Sequence, residues 1–251
     1  MGYENGVVVL TGIGKPGQTG EVVARAALAR GARLAVVSRS AAEAEARAAA
    51  LRSGSTDGAE VRGFPCDLSN EAEVATFASS VRAAFGDRVD ALINMAGGFA
   101  MSGPVVESDF AVWQRQISIN LTTAYLATRA FLPALRAARG SIVYFSSATA
   151  LPGARVARMA AYAVAKTGII ALMRAVAQEE AENGVRANAV APTSIRTATN
   201  IESMGDDALY VERSEVASTV LWLCSDEARA VTGDVIELRK AESRKQRAGN
   251  G

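Results

Sequence analysis

Tyr162 and Lys166 stand four residues apart in Tyr162-Ala-Val-Ala-Lys166, a spacing that puts both on one face of a predicted helix. Lysine is scarce, at Lys15, Lys166, Lys240 and Lys245 only, so the pairing is informative. A tyrosine phenol titrates near pH ~10, and to serve as a base at neutral pH it must drop by about 3 units, roughly 4 kcal/mol. A lysine one turn away pushes in that direction. Ser146 and Ser147 close the preceding predicted strand, at the sheet edge where ligands bind in open α/β sheets. On its own the pair is equally compatible with a surface contact. The chain has no histidine, which excludes Ser-His-Asp and Cys-His hydrolases and any histidine-ligated metal site.

A second group lies near the start, in Thr11-Gly12-Ile13-Gly14-Lys15-Pro16-Gly17-Gln18-Thr19-Gly20. Gly12, Gly14 and Gly17 form a literal GxGxxG between a predicted strand and helix, where glycines allow a diphosphate to approach the helix N-terminus. This reads as nucleotide binding, with a structural turn as the alternative. A phosphate-binding P-loop would need lysine where Gln18 stands, which disfavours a phosphotransferase. The next strand ends Val37-Ser38-Arg39-Ser40, without the acid that would hold a ribose 2′-OH. Arg39 can pair with a 2′-phosphate, so NADP is expected over NAD. A cationic nicotinamide would add its own pull on the Tyr162 proton.

The elements that must position these groups follow from hydrophobic runs. Val7–Leu10, Leu34–Val37, Val61–Phe64, Ala91–Ile93, Ser141–Phe145, Arg186–Val190 and Val235–Leu238 read as strands, mostly continuous and therefore covered on both faces. Glu21–Arg30, Ala41–Arg52, Asn70–Phe85, Phe110–Ala138, Met159–Asn183 and Ser214–Cys224 read as helices. Asn70 with Glu73 suggests a capping box, and Pro133 is expected to bend the long fourth helix. Strict alternation predicts one α/β domain over 1–238, a Rossmann fold with a doubly wound, seven-stranded parallel sheet flanked by helices. Residues 239–251 form a basic tail with Arg239, Lys240, Arg244, Lys245 and Arg247 against Glu242, expected to be solvated.

The 251 residues carry a net charge of +1, which leaves no footprint for nucleic acid or an anionic membrane. No apolar run of the roughly 18 residues a span needs is evident, and no secretory or myristoylation signal opens the chain. Cys66 and Cys224 make no CxxC pair. A soluble, cytoplasmic protein is expected, without metal.

Taken together, the motifs resemble the short-chain dehydrogenase/reductase family from about Val7 to Leu238. In the family's order stand the Thr-Gly loop, Asp67, Asn94-Met95-Ala96-Gly97, Asn120, the serine pair, Tyr162 with Lys166, Asn188-Ala-Val-Ala-Pro192 and Thr232-Gly233. The resemblance implies that Tyr162 exchanges a proton with a carbonyl or alcohol oxygen that Ser147, in preference to Ser146, hydrogen-bonds. Lys166 would hold the nicotinamide ribose and ease loss of the tyrosine proton, and Asn120 would support a water relay. The implied cofactor set is Thr11, Gly12, Gly14, Gly17, Gly20, Ser38, Arg39, Asp67, Leu68, Asn94, Ala96, Gly97, Tyr162, Lys166, Pro192, Ile195 and Thr197, with Asp67 at the adenine and Asn94 to Gly97 along its ribose.

The chain departs from the family's pattern in several places. Thr11 to Gly20 spans ten residues where the family's loop runs eight, and the serine–tyrosine separation is two residues longer. Thr193 replaces a glycine, and Glu237-Leu238-Arg239 replaces an Asp-Gly-Gly ending. The substrate-covering segment, Thr197 to Glu215 with Ile201, Met204, Asp206 and Asp207, is short, which suggests a small or openly bound substrate. Phe99 and Met101 could line an apolar pocket, with core packing as the alternative. Arg155 and Arg158 lie in the lengthened loop before Tyr162. The implied activity is an NADP(H)-dependent ketone reductase or secondary-alcohol dehydrogenase, assembled as a homodimer or homotetramer through Phe110–Ala138 and Met159–Asn183. The alternative is a nucleotide-binding regulator without turnover.

Overall fold

Alternation along the first strand decides the layers. In β1 (Val7–Thr11), Val7 and Val9 join the apolar cluster on one face, while Val8 and Leu10 join that on the other. The computed structural model describes residues 5–55 and 58–240, so the tail from 241 onward lies outside the described residues. Beside β1 run β2 (Arg33–Ser38), β3 (Val61–Pro65), β4 (Ala91–Asn94), β5 (Ser141–Phe145), β6 (Arg186–Pro192) and β7 (Val235–Leu238). They form one seven-stranded, all-parallel sheet in the order β3-β2-β1-β4-β5-β6-β7. Thr11 pairs with Asn94, so β1 and β4 end level at the point where the order reverses.

The helices are α1 (Thr19–Leu28), α2 (Ala41–Ser53), α3 (Glu71–Phe85), α4 (Phe110–Ile117), α5 (Thr123–Ala138), α6 (Ala160–Glu179), α7 (Ala198–Met204) and α8 (Arg213–Cys224). Phe77 and Val81 of α3, Phe131 and Leu135 of α5, and Ile169 and Met173 of α6 cover one face. Val23 and Ala27 of α1, Leu51 of α2, and Val220 and Leu221 of α8 cover the other. Each large aliphatic side chain fully buried there contributes about 1.5–3 kcal/mol. By length and mean hydropathy (1.4), α6 could cross a membrane, contrary to the reading that no such stretch exists; half of that window is buried inside this fold.

Three local expectations are corrected. The predicted helix Phe110–Ala138 is interrupted by a single π turn, Ser118–Thr122, while Pro133 sits within α5. Asn70 accepts the N–H groups of Ala72 (3.0 Å) and Glu73 (3.3 Å), but the Glu73 carboxylate turns to the Asp67 N–H (2.7 Å), so the box is half made. The substrate-covering segment from Thr197 to Glu215, for which no helix before Ser214 was expected, begins with α7, whose start is capped by Thr197 accepting the Asn200 N–H (3.3 Å).

Candidate active site

The crevice between β1 and β4 is built by one threonine and two glycines. The buried Thr11 hydroxyl donates to Ile93 O (3.3 Å) and accepts the Met95 and Ala96 N–H groups (3.1 and 3.2 Å), fastening the two strand ends together. A Cβ on Gly12 would lie 2.5 Å from Ala96 N, and Gly12 also holds φ +74°, so no other residue fits. A Cβ on Gly20 would lie 2.5 Å from Gly12 O. Gly20 therefore lets the first turn of α1 pack against the Gly12 carbonyl. Gly17 instead shapes a turn outside the crevice, closed by Gln18 N–H donating to Lys15 O (3.1 Å). The Gln18 side chain caps nothing, leaving the first N–H groups of α1 turned to the loop without a side-chain acceptor from that position.

Ser38 ends β2 and the exposed Arg39 follows it. Asp67 accepts from the Ser69 hydroxyl (2.7 Å) and N–H (2.9 Å), which hold its carboxyl below the ordinary value, with Arg39 adding a smaller pull. Leu68 is buried beside it. Asn94 is only 4% exposed, and its amide donates to Thr128 Oγ1 (3.2 Å), a hydroxyl that also meets Tyr144 Oη (2.8 Å). Its side chain thus enters the core, and the crevice wall at this point consists of the Ala96 and Gly97 backbone.

Tyr162 and Lys166 project from α6 toward the end of β5. Lys166 is 6% exposed and donates through Nζ to Phe145 O (2.8 Å); burial pulls its ammonium down to about 8. Ser146 donates to Lys166 O (2.9 Å) and so ties strand to helix. Ser147 is the serine that reaches the Tyr162 phenol. Burial raises the Tyr162 pKa, and that hydrogen bond opposes the rise only in part. Lys166 Nζ, which donates to Phe145 O, lies 5.7 Å from the Tyr162 ring centre. Phe99, 58% exposed, meets Tyr162 edge-on at 5.0 Å between ring centres.

Asn120 lies in the π turn and is 1% exposed. Its Oδ1 accepts the Gly98 N–H (3.1 Å), and its Nδ2 donates to Gly98 O (2.9 Å) and Gln116 O (3.1 Å). A Cβ on Gly97 would fall 2.4 Å from Asn120 Oδ1 and 3.5 Å from Lys166 Nζ, so glycine there lets both side chains close on the same spot. Sequence reasoning missed the buried Gln116, whose position one turn before Asn120 was the available signal.

Beyond Pro192, Thr193 is joined to the last strand by its N–H donating to Leu238 O (2.9 Å). Ile195 forms an isolated parallel bridge with Val211. Arg196 pairs with Asp206 (2.5 Å) and lies over the Tyr210 ring, so the acidic segment is internally neutralised there. Arg155 and Arg158 are exposed and make no ion pair or side-chain hydrogen bond among the described residues. Arg158 holds φ +64° and its carbonyl accepts the Ser102 (2.9 Å) and Gly103 (3.1 Å) N–H groups, joining the loop before Tyr162 to the loop that carries Phe99.

This arrangement can hold an extended ligand along the ends of β1, β2 and β4 and present a proton donor at its far end. Similarity to known proteins runs over the same span. A family model described as enoyl-(acyl carrier protein) reductase matches residues 12–238. The chain is 33% identical over 247 residues to 2-(S)-hydroxypropyl-CoM dehydrogenase 3 of Xanthobacter autotrophicus, covering 92% of this chain and 93% of that one. It is 33% identical over 230 residues to a second protein of that organism, named inactive 2-(S)-hydroxypropyl-CoM dehydrogenase 2, covering 85% and 96%. The crystal structure of levodione reductase matches with a TM-score of 0.84 at 30% identity, covering 93% and 96%.

Proposed function

Since the chain belongs to the short-chain dehydrogenase/reductase family, oxidoreductases of CH–OH and C=O carbons, we propose that it couples NADP(H) to a small ketone or secondary alcohol through Ser147, Tyr162, Lys166 and Asn120. The observation that carries this reading is the convergence of Ser147 and Lys166 on Tyr162 beside the glycine-lined end of β1 and β4. The crevice suits a dinucleotide: it lies where the strand order reverses, and α1 points its uncapped N-terminus at the loop. The diphosphate would be held by the loop from Thr11 to Gly20, the adenosine half by Ser38, Arg39, Asp67, Leu68 and the Asn94–Gly97 backbone. The nicotinamide half would be held by Tyr162, Lys166, Pro192, Ile195 and Thr197. The bound dinucleotide supplies the hydride.

The chain's own residues move the proton. Burial keeps the Tyr162 phenol neutral, ready to donate to a carbonyl oxygen that Ser147 also hydrogen-bonds. As the phenolate forms, the Lys166 ammonium is the nearby positive charge that stabilises it. In the reverse direction the same pair accepts the proton of an alcohol. Asn120 braces Gly98 beside Lys166, and its part in a water relay belongs to this proposal. The relatives named for a hydroxypropyl conjugate and for levodione support an alcohol or carbonyl carbon as the reacting centre. A non-catalytic nucleotide-binding role is the second reading, favoured by the existence of a relative named inactive. Fluorescence titration with NADPH, followed by a panel of ketones and secondary alcohols, separates the two: binding without turnover on any of them would leave the regulator.

Arg39→Asp should weaken NADPH by roughly 10- to 100-fold and leave NADH nearly unchanged, as loss of a charge-assisted pair implies. Asp67 already draws on the Arg39 charge, which places the effect toward the lower end. Tighter binding of NADH than NADPH by the parent protein would overturn the cofactor assignment.

Arg155 and Arg158, which make no ion pair among the described residues, suit an anionic group on the substrate. Arg155→Ala or Arg158→Ala should raise KM for a carboxylate-bearing ketone and leave a neutral ketone unaffected, the pattern of lost uniform binding. Equal changes for charged and neutral ketones would reject that role. A cytoplasmic setting fits two buried cysteines that form no disulfide. A homodimer or homotetramer would cover the exposed Tyr125 of α5 and Val164 of α6.

A further inference from the structure

In the glycine loop the Gly17 peptide groups are gripped from two sides. The Gly17 N–H donates to Glu21 Oε2 (2.6 Å), and Arg25 holds the other oxygen of that carboxylate (2.7 and 2.9 Å), which keeps Glu21 below its ordinary pKa. The Gly17 carbonyl accepts from the Arg213 guanidinium. Arg213 is the first residue of α8, and it has no acidic partner among the described residues. Two residues before it, Val211 exchanges two backbone hydrogen bonds with the segment after β6: its N–H donates to Ser194 O and its carbonyl accepts the Arg196 N–H, both 2.9 Å. A short, bonded route therefore runs from the glycine loop through Arg213 to residues 193–212, the segment that follows the end of β6.

We propose that Arg213 is a positioning residue that couples dinucleotide binding at the glycine loop to ordering of residues 193–212 over the substrate. Anchoring Gly17 by its carbonyl holds the lengthened loop in one conformation. Arg213 is itself the first residue of α8, so a dinucleotide that stiffens the loop stiffens the segment ending at Glu212. The proposal rests on the dinucleotide reading given above.

The test is hydrogen exchange on the full chain with and without NADPH, together with steady-state kinetics. In the parent protein NADPH protects both 12–20 and 193–212. In Arg213→Ala, protection of 12–20 persists, while the protection gained over 193–212 falls by about tenfold, the size expected for one charge-assisted hydrogen bond. KM for the ketone rises by a similar factor, with the free protein's Tm little changed. Arg213→Lys, which keeps one donor and the charge, restores most of the protection. Unaltered protection of 193–212 in Arg213→Ala overturns the coupling. So does loss of NADPH binding itself at unchanged Tm, which would make Arg213 a direct phosphate ligand. If NADPH protects nothing in the parent protein, the dinucleotide reading fails, and the coupling falls with it.

Discussion

Tyr162→Phe is expected to lower kcat by at least about 100-fold while leaving the affinity for NADPH unchanged. Phenylalanine keeps the ring that meets Phe99 edge-on and fills the same buried space, so folding and the crevice should be preserved. Only the hydroxyl that reaches Ser147 is lost, and with it the transferable proton. Stopped turnover with intact binding, read by fluorescence titration and single-turnover kinetics, is the expected outcome. A well-folded Tyr162→Phe protein with near-parental turnover would remove Tyr162 from the chemistry.

Lys166→Met should separate stability from activity. Burial brings the Lys166 ammonium to about 8, against roughly 10.5 in an unfolded chain, a cost of about 3 kcal/mol while the group is charged. Between these values the unfolded state binds the extra proton, so stability rises with pH across that window. The penalty is complete below about 8 and gone above roughly 10.5. Methionine removes it and also forfeits the bond to Phe145 O, worth about 1.5 kcal/mol. Urea unfolding should therefore find Lys166→Met about 1–2 kcal/mol more stable than the parent at pH 7, with that advantage shrinking as pH climbs past 8. Its kcat should fall at least about 100-fold. A variant less stable than the parent at pH 7 would show that Lys166 is well solvated or better paired than its carbonyl contact implies.

Much of the fold was legible because burial on both faces leaves continuous apolar runs. All seven strands lie where those runs stand, and their ends shift by at most two residues, to Thr11, Asn94 and Ser38 at polar flanks and to Pro65 and Pro192 at prolines. The helix ends were less legible. A π turn at Ser118–Thr122 carries no compositional mark; it accompanies the bonds of Asn120 to Gln116 and to Gly98, which no local propensity announces. α7 escaped because its seven residues are too few for a periodic pattern; its cap at Thr197 and the Tyr210 hydroxyl donating to Gly205 O (2.5 Å) hold it.

In the candidate site the division is similar. Residue types and spacing were enough to single out Tyr162, Lys166, the serine pair and the glycine loop, because proton transfer and close phosphate approach each demand few residue types in a narrow order. Choosing among near-equivalents was a matter of direction in space. Ser146 and Ser147 are adjacent in sequence but point to opposite sides of an extended chain, one to the α6 backbone and one to Tyr162. Gly17 and Gly20 both fit a spacing rule, yet only Gly20 meets the Gly12 carbonyl. Asn94 carries a site-like amide but turns it into the core toward Thr128, thirty-four residues on. The phenol's raised rather than lowered pKa came from burial set by several elements at once, and the grip of Arg213 on Gly17 joins residues 196 positions apart. Local chemistry is written in short spacings that one strand or helix can display. Which way a side chain faces, and how much water it loses, depends on chain segments that meet only when the sheet and its helices have packed.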